Sequence, residues 1–129
     1  MLDSGKLEKL GIDMEEGLIY CLDDPDFYEV MLREYEQESE KRLSVLQKSY
    51  EEHDWSRYAI CAHSVKSTSG MIGAKKMAEQ ARIMEAAGKE GNGAAISAGH
   101  EQFLKEYSEL ARSLREMFPR EWLKGKLEM

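Results

Sequence analysis

Of the chain's three histidines, His53, His63 and His100, one has neighbours suited to chemistry. The stretch Ala62-His63-Ser64-Val65-Lys66-Ser67 sets an imidazole and an ammonium three residues apart, and on a helix that spacing puts both on one face. An imidazole with an ordinary pKa of about 6.5 is largely neutral near neutral pH and can attack through a ring nitrogen; a nearby carboxylate would stabilise the cation that forms. A phosphoryl group suits such a site. Its transfer asks mainly for alignment and charge compensation, and Lys66 is placed to neutralise the phosphoryl oxygens. The candidate carboxylate is Glu85. His63 lies ten residues before Gly73 and Glu85 twelve after it. At about 1.5 Å of rise per residue they sit roughly 15 and 18 Å from a turn at Gly73, nearly level across an antiparallel pair. Glu85 would accept a hydrogen bond from one imidazole nitrogen, fix the tautomer and leave the other lone pair outward.

Five helices are expected to position these groups. Asp13 caps a short first helix, with Glu16 three residues on, that ends near Asp23. Asp24 as cap and Pro25 at the first helical position start a long helix running to about Tyr50. Its apolar stripe is Phe27, Met31, Tyr35, Leu43, Leu46 and Tyr50, interrupted by Ser39. Asp54 caps a third helix bearing Trp55, Tyr58, Ala62, Val65, Ser69 and Ile72 before Gly73 breaks it. A fourth starts near Ala74, carries Met77, Ala81 and Met84, and stops within residues 88–91. Asn92 caps the fifth, in which Ile96, Phe103, Leu110 and Met117 recur every seven residues until Pro119 ends it. Connections this short force neighbouring helices antiparallel. The expected fold is all-α, an up-and-down antiparallel four-helix bundle with a short extra N-terminal helix as a lid. It forms a single domain over residues 1–129, with a core at about 10–118 and a C-terminal tail, 119–129, whose Trp122 and Leu123 dock on the bundle or fray.

On a helical wheel, His63 lies roughly 150° from the apolar side of its helix, centred near Tyr58 and Val65, and so faces solvent. Ser56, Ala59, Ser67 and Gly70 share its face with Lys66, and Ile60 flanks it. Solvent alone would favour Glu, Lys and Gln there; small residues around one histidine leave room for another protein to come close. Ala74, Ala78 and Ala81, on the Glu85 side of the fourth helix, allow its close approach to the third.

Other features narrow the function. With 129 residues the chain fits one domain. A net charge of −7 and a pI near 5.1 argue against a nucleic-acid backbone or an anionic membrane as partner. No apolar run approaches the roughly 20 residues that span a bilayer, and Cys21 and Cys61 read as reduced packing residues, so a soluble cytoplasmic protein is expected; it is also expected to be a monomer. His100 falls in a heptad slot between Ile96 and Phe103, a core or boundary position, and His53 precedes a cap. Residues 88–93 are glycine-rich but lack phosphate-loop spacing. A metal-binding bundle would need paired Glu and Glu-x-x-His ligands, which are missing; no metal and no cofactor are expected.

The residues from Ala62 to Ser67, continuing through Gly73-Ala74, resemble the Ala-His-x-Leu-Lys-Gly…Gly-Ala signature of histidine-phosphotransfer domains. The likeness extends to Ile12-Asp13, Leu18 and Asp26-Phe27-Tyr28 upstream and to Glu85 downstream, where the family commonly has Glu or Gln, covering most of residues 10–118. It implies a four-helix bundle that is phosphorylated at the outward nitrogen of His63; with no evident nucleotide site in the sequence, the chain is expected to have no ATP site of its own. The expected partners are receiver domains, which bring their own aspartate and Mg²⁺, or a histidine kinase. Ser67 departs from the family's glycine, where its hydroxymethyl group either crowds a receiver or binds a phosphoryl oxygen. Met71 stands where a polar residue is frequent. The alternative on the same bundle is an adaptor that binds a receiver or kinase without taking phosphate.

Overall fold

A computed structural model describes residues 2–118. It contains six helices and, among the described residues, no strand: α1 (Ser4–Lys9), α2 (Met14–Tyr20), α3 (Pro25–Glu51), α4 (Trp55–Ile72), α5 (Lys75–Lys89) and α6 (Gly93–Met117). The starts follow the caps read from the sequence. Asp13, Asp24, Asp54 and Asn92 each accept backbone N–H groups of their own helix through a side-chain oxygen, satisfying donors that a helix leaves unpaired. Pro25 occupies the first position of α3, and Gly73 closes α4 in the left-handed conformation, φ +88°.

The four long helices contact one another in the cyclic order α3, α4, α5, α6. Their alignment is antiparallel. Along α3 and α4, Tyr28 meets Ile72, Tyr35 meets Ser69 and Arg42 meets Cys61, one number rising as the other falls. Tyr50 with Ser97, Gln47 with His100 and Tyr35 with Tyr107 do the same between α3 and α6. Within the bundle Tyr28, Tyr35, Tyr58, Tyr107, Phe103, Leu32, Leu46 and Ile96 are buried in one cluster. Cys21 and Cys61 are free thiols in or against this core, and burial raises the pKa of both.

The helix bounds and the apolar stripe depart from the sequence reading in three places. There is a helix before Asp13: Asp3 caps α1, and Leu7, fully buried, joins the core ahead of residue 10. Six residues with one buried side chain are too few to show a period. Next, α2 stops at Tyr20, since Leu22 and Asp23 take positive φ in the turn. Finally, the apolar stripe of α3 begins on Tyr28, fully buried with its hydroxyl donating to the Ile72 carbonyl oxygen at 2.8 Å, while Phe27 is 41% exposed. That stripe continues through Leu32, Tyr35 and Ser39 and includes Glu36, a buried carboxylate 3.4 Å from both Arg33 and Arg115. Pro119, Trp122, Leu123 and the rest of the expected tail lie outside the described residues.

The short α2 locks the turn between α4 and α5. The Asp13 N–H donates to the Gly73 carbonyl oxygen at 2.9 Å, and Lys75 reaches Glu16 at 2.5 Å. A Cβ on Gly73 would lie 2.1 Å from the Asp13 carbonyl oxygen, whereas one on Gly11, also left-handed at φ +83°, would meet nothing within 4 Å. Gly11→Ala should therefore cost only the backbone strain of about 1–2 kcal/mol, and Gly73→Ala should lose at least about 1 kcal/mol more, because two backbones must also separate. Urea denaturation of the two variants checks this; equal losses would contradict the role given to the contact.

Candidate functional site

Helix α4 places His63 outward, its side chain 56% exposed. Two turns of small or short side chains bring α5 against it: Ala81 is fully buried, and Gly88 packs so closely that a Cβ there would sit 2.9 Å from Ala59 Cβ and 3.1 Å from the Trp55 carbonyl oxygen. At this separation Glu85 reaches across. His63 Nδ1 lies 2.7 Å from Glu85 Oε2, and Lys66 Nζ 2.6 Å from Glu85 Oε1. The level estimated from the turn at Gly73 holds.

Glu85 is more than a surface partner, being only 3% exposed. Burial pushes its pKa up, but hydrogen bonds from Lys66, His63 and Lys89 outweigh that and hold it at about 2. The carboxylate is therefore ionised at neutral pH and can only accept, so Nδ1 must carry the proton and donate it. The tautomer follows: in the neutral ring the lone pair is on Nε2, which is the nitrogen not tied to Glu85.

Lys89 was not singled out from the sequence, yet its Nζ lies 3.2 Å from Glu85 Oε2, the oxygen that also receives His63. The signal was present as a Glu followed four residues later by Lys, a spacing that joins side chains on one helical face.

The expected docking residues separate into two groups. Ser56, Ile60, Ser67 and Met71 are exposed, Ile60 at 70%, and Gly70 has open space where a Cβ would stand. Ala59 is not on the surface: Gly88 covers it and leaves it 5% exposed. The wheel gave the correct direction for Ala59 but could not show how near α5 comes. Beside Lys66, a groove of about 590 Å³ runs between Ser67, Gly70 and Met71 of α4, Ala78 and Glu79 of α5, and Tyr20 of α2. Ser64 and Thr68 bond back to carbonyls of their own helix, while the Ser67 hydroxyl makes no hydrogen bond among the described residues.

The other histidines are structural. His100 is 6% exposed and stacks on Tyr50 at 3.9 Å; its Nε2 donates to Gln47 Oε1 at 2.9 Å, so its Nδ1 accepts from the Tyr58 hydroxyl at 2.8 Å. Burial lowers its pKa. His53 stacks on Trp55. Among the described residues, no group of three or more His, Cys, Asp and Glu side chains could hold a metal ion, and no helix is long and apolar enough to cross a membrane.

Compared with known families, residues 30–118 match the Hpt domain, a span that contains His63, Lys66, Glu85 and all of α4, α5 and α6. The chain belongs to the Hpt domain family. Hpt domains are helical phosphocarrier modules of two-component signalling; they take part in histidine phosphotransfer with receiver domains and kinases and have no ATP site of their own. Residues 10–29, which share in the sequence resemblance, lie outside the matched span. Comparison with curated proteins and with solved structures gives no match.

The low pKa of Glu85 has a consequence for stability. A carboxyl group whose folded pKa lies below its ordinary value near 4.5 contributes stability that is complete above that value and is lost as pH falls towards about 2. Wild type should thus exceed Glu85→Gln in stability at pH 7, and the gap should close between about pH 5 and 2, where a protonated Glu resembles Gln. Urea unfolding of both proteins across that range measures it; a gap constant with pH would contradict the ionised, hydrogen-bonded carboxylate.

Proposed function

We propose that this Hpt domain is a phosphocarrier that accepts a phosphoryl group on His63 Nε2 from the phosphorylated aspartate of a receiver domain and returns it to another aspartate. One observation carries the reading: an exposed ring with one nitrogen held by a buried, ionised carboxylate at 2.7 Å and the other not so held. An adaptor that never took phosphate would have no use for this arrangement.

In the transfer, the Nε2 lone pair forms the N–P bond while the P–O bond to the donor aspartate breaks, its electron pair staying with the leaving carboxylate. The Nδ1 proton remains in place, so the ring becomes a cation, and the negative Glu85 beside it lowers the energy of that charge as it develops. Lys66, whose side chain is one-third exposed, turns its ammonium to the phosphoryl oxygens. Return transfer reverses each step. Mg²⁺ and the phosphorylatable aspartate come with the receiver, and the exposed face of Ser56, Ile60, Ser67, Gly70 and Met71 receives it. The same site would take phosphate from a kinase by the same attack.

Incubation with a phosphorylated receiver domain tests this. Label should move to wild type, be absent from His63→Gln, and reach Glu85→Ala and Lys66→Ala at least roughly tenfold more slowly, the loss expected when one compensating charge is removed from a transition state. Label arriving on His63→Gln would overturn the assignment, and complex formation with a wild type that never takes label would favour the adaptor.

A further inference from the structure

Glu85 has two oxygens and three donors, and the division between them is uneven. Lys66 takes Oε1 at 2.6 Å, while His63 Nδ1 and Lys89 Nζ share Oε2 at 2.7 and 3.2 Å. One lysine is enough to balance one carboxylate. The second therefore leaves a surplus positive charge next to the ring, on the longest of the three contacts and on the most exposed of the two lysines, at 67% against 33% for Lys66.

Along the helix axes, Lys89 and Lys66 start from opposite sides of the level of His63. Side chains on a helix lean towards its N-terminus, so His63 leans from its own position towards the level of Ala59 and Ile60. That is where α5 ends: Gly88 rests on Ala59, and Lys89 follows it as the last residue of the helix. Lys66 comes from one turn further along α4 and leans towards His63 from behind. The two lysines therefore approach Glu85 from opposite ends of the level of His63. The other cations near this face are engaged elsewhere, Arg82 with both oxygens of Glu79 at 2.6 and 2.9 Å and Lys75 with Glu16 at 2.5 Å.

We propose that Lys89 is a second phosphoryl-binding residue of the His63 site, resting on Glu85 while the histidine is free and turning to the phosphoryl oxygens when it is loaded. The inference rests on the carrier reading. Charge supports it: a phosphoryl group brings about two negative charges, so the loaded site holds three negative charges with Glu85, and the ring cation, Lys66 and Lys89 supply three positive ones. Lys66 alone would leave the site one charge short. The move needs no backbone shift, because four flexible carbons separate the ammonium from the helix. Glu85 keeps the Nδ1–H bond when Lys89 leaves, so the tautomer survives the exchange.

Phosphoramidate tests this without a partner protein. It donates one phosphoryl group, the P–N bond breaking as ammonia leaves and the Nε2–P bond forming. Wild type, Lys89→Ala, Lys89→Arg and, as a control for lost positive charge elsewhere on the exposed side of α5, Lys76→Ala would be loaded and followed by ³¹P NMR, with His63→Gln to confirm the site. Lys89→Ala should load roughly threefold to tenfold more slowly, the effect expected of one partly solvated charge, and shift the phosphohistidine resonance. Lys89→Arg should stay within about twofold of wild type, and Lys76→Ala should match wild type. Loading of Lys89→Ala at the wild-type rate with an unmoved resonance would overturn the role of Lys89 alone, as would an equal slowing in Lys76→Ala. A wild type that does not load, or a His63→Gln that does, would overturn it together with the carrier reading.

Discussion

The site depends on a buried carboxylate that has to remain ionised. Glu85 is enclosed where α5 crosses α4, and an isolated charge in such a place would either take up a proton or hold the helices apart. Three donors prevent both outcomes. Because those donors come from α4 and from the end of α5, the pairing of the two helices and the ionisation of Glu85 sustain each other. Ala81 and Gly88 let the backbones approach, the Gly73 turn sets the two helices level, and α2, bonded to Gly73 through Asp13, holds that turn. Remove the close approach and the imidazole loses its fixed tautomer.

The two histidines of the bundle show how environment decides a residue's use. His100 has both ring nitrogens engaged, by Tyr58 and Gln47, and a tyrosine ring stacked on its face. Burial keeps it neutral, and no lone pair is left for a reactant. His63 has one nitrogen engaged and most of its ring in solvent. The aromatic and polar contacts around His100 join α3, α4 and α6 on the far side of α4, so the helix bearing His63 has a firm backing. A reactive residue on a packed helix keeps its aim better than one on a loop.

Much of this is legible in the sequence. Asp13, Asp24, Asp54 and Asn92 start helices because their side chains satisfy local N–H groups, and Gly73 ends one because glycine alone takes its φ without strain; these are short-range effects, readable from neighbouring residues. The meeting of His63 and Glu85 was legible because a tight turn turns sequence distance into spatial level. What depends on packing was hidden. Phe27 and Tyr28 are both aromatic and adjacent, and partners distant in the chain, such as the Ile72 carbonyl 44 residues away, select Tyr28 for the interior. Ala59 looked outward on a wheel because a wheel contains one helix and not the glycine that covers it. Counting from the turn places Glu85 level with His63 but says nothing of its burial, which comes from α5 packing on α4. The short α1 has too little length for any periodic signal.

The central claim is that Glu85 holds the Nδ1 proton of His63 and leaves Nε2 as the nucleophile. Long-range ¹H–¹⁵N correlation spectra of the unphosphorylated protein, recorded where the ring is neutral, read this directly. The account predicts a protonated, pyrrole-like Nδ1 and an unprotonated, pyridine-like Nε2 in wild type, with the preference lost in Glu85→Ala. A His63 protonated on Nε2 in wild type, or a tautomer indifferent to Glu85, would contradict it.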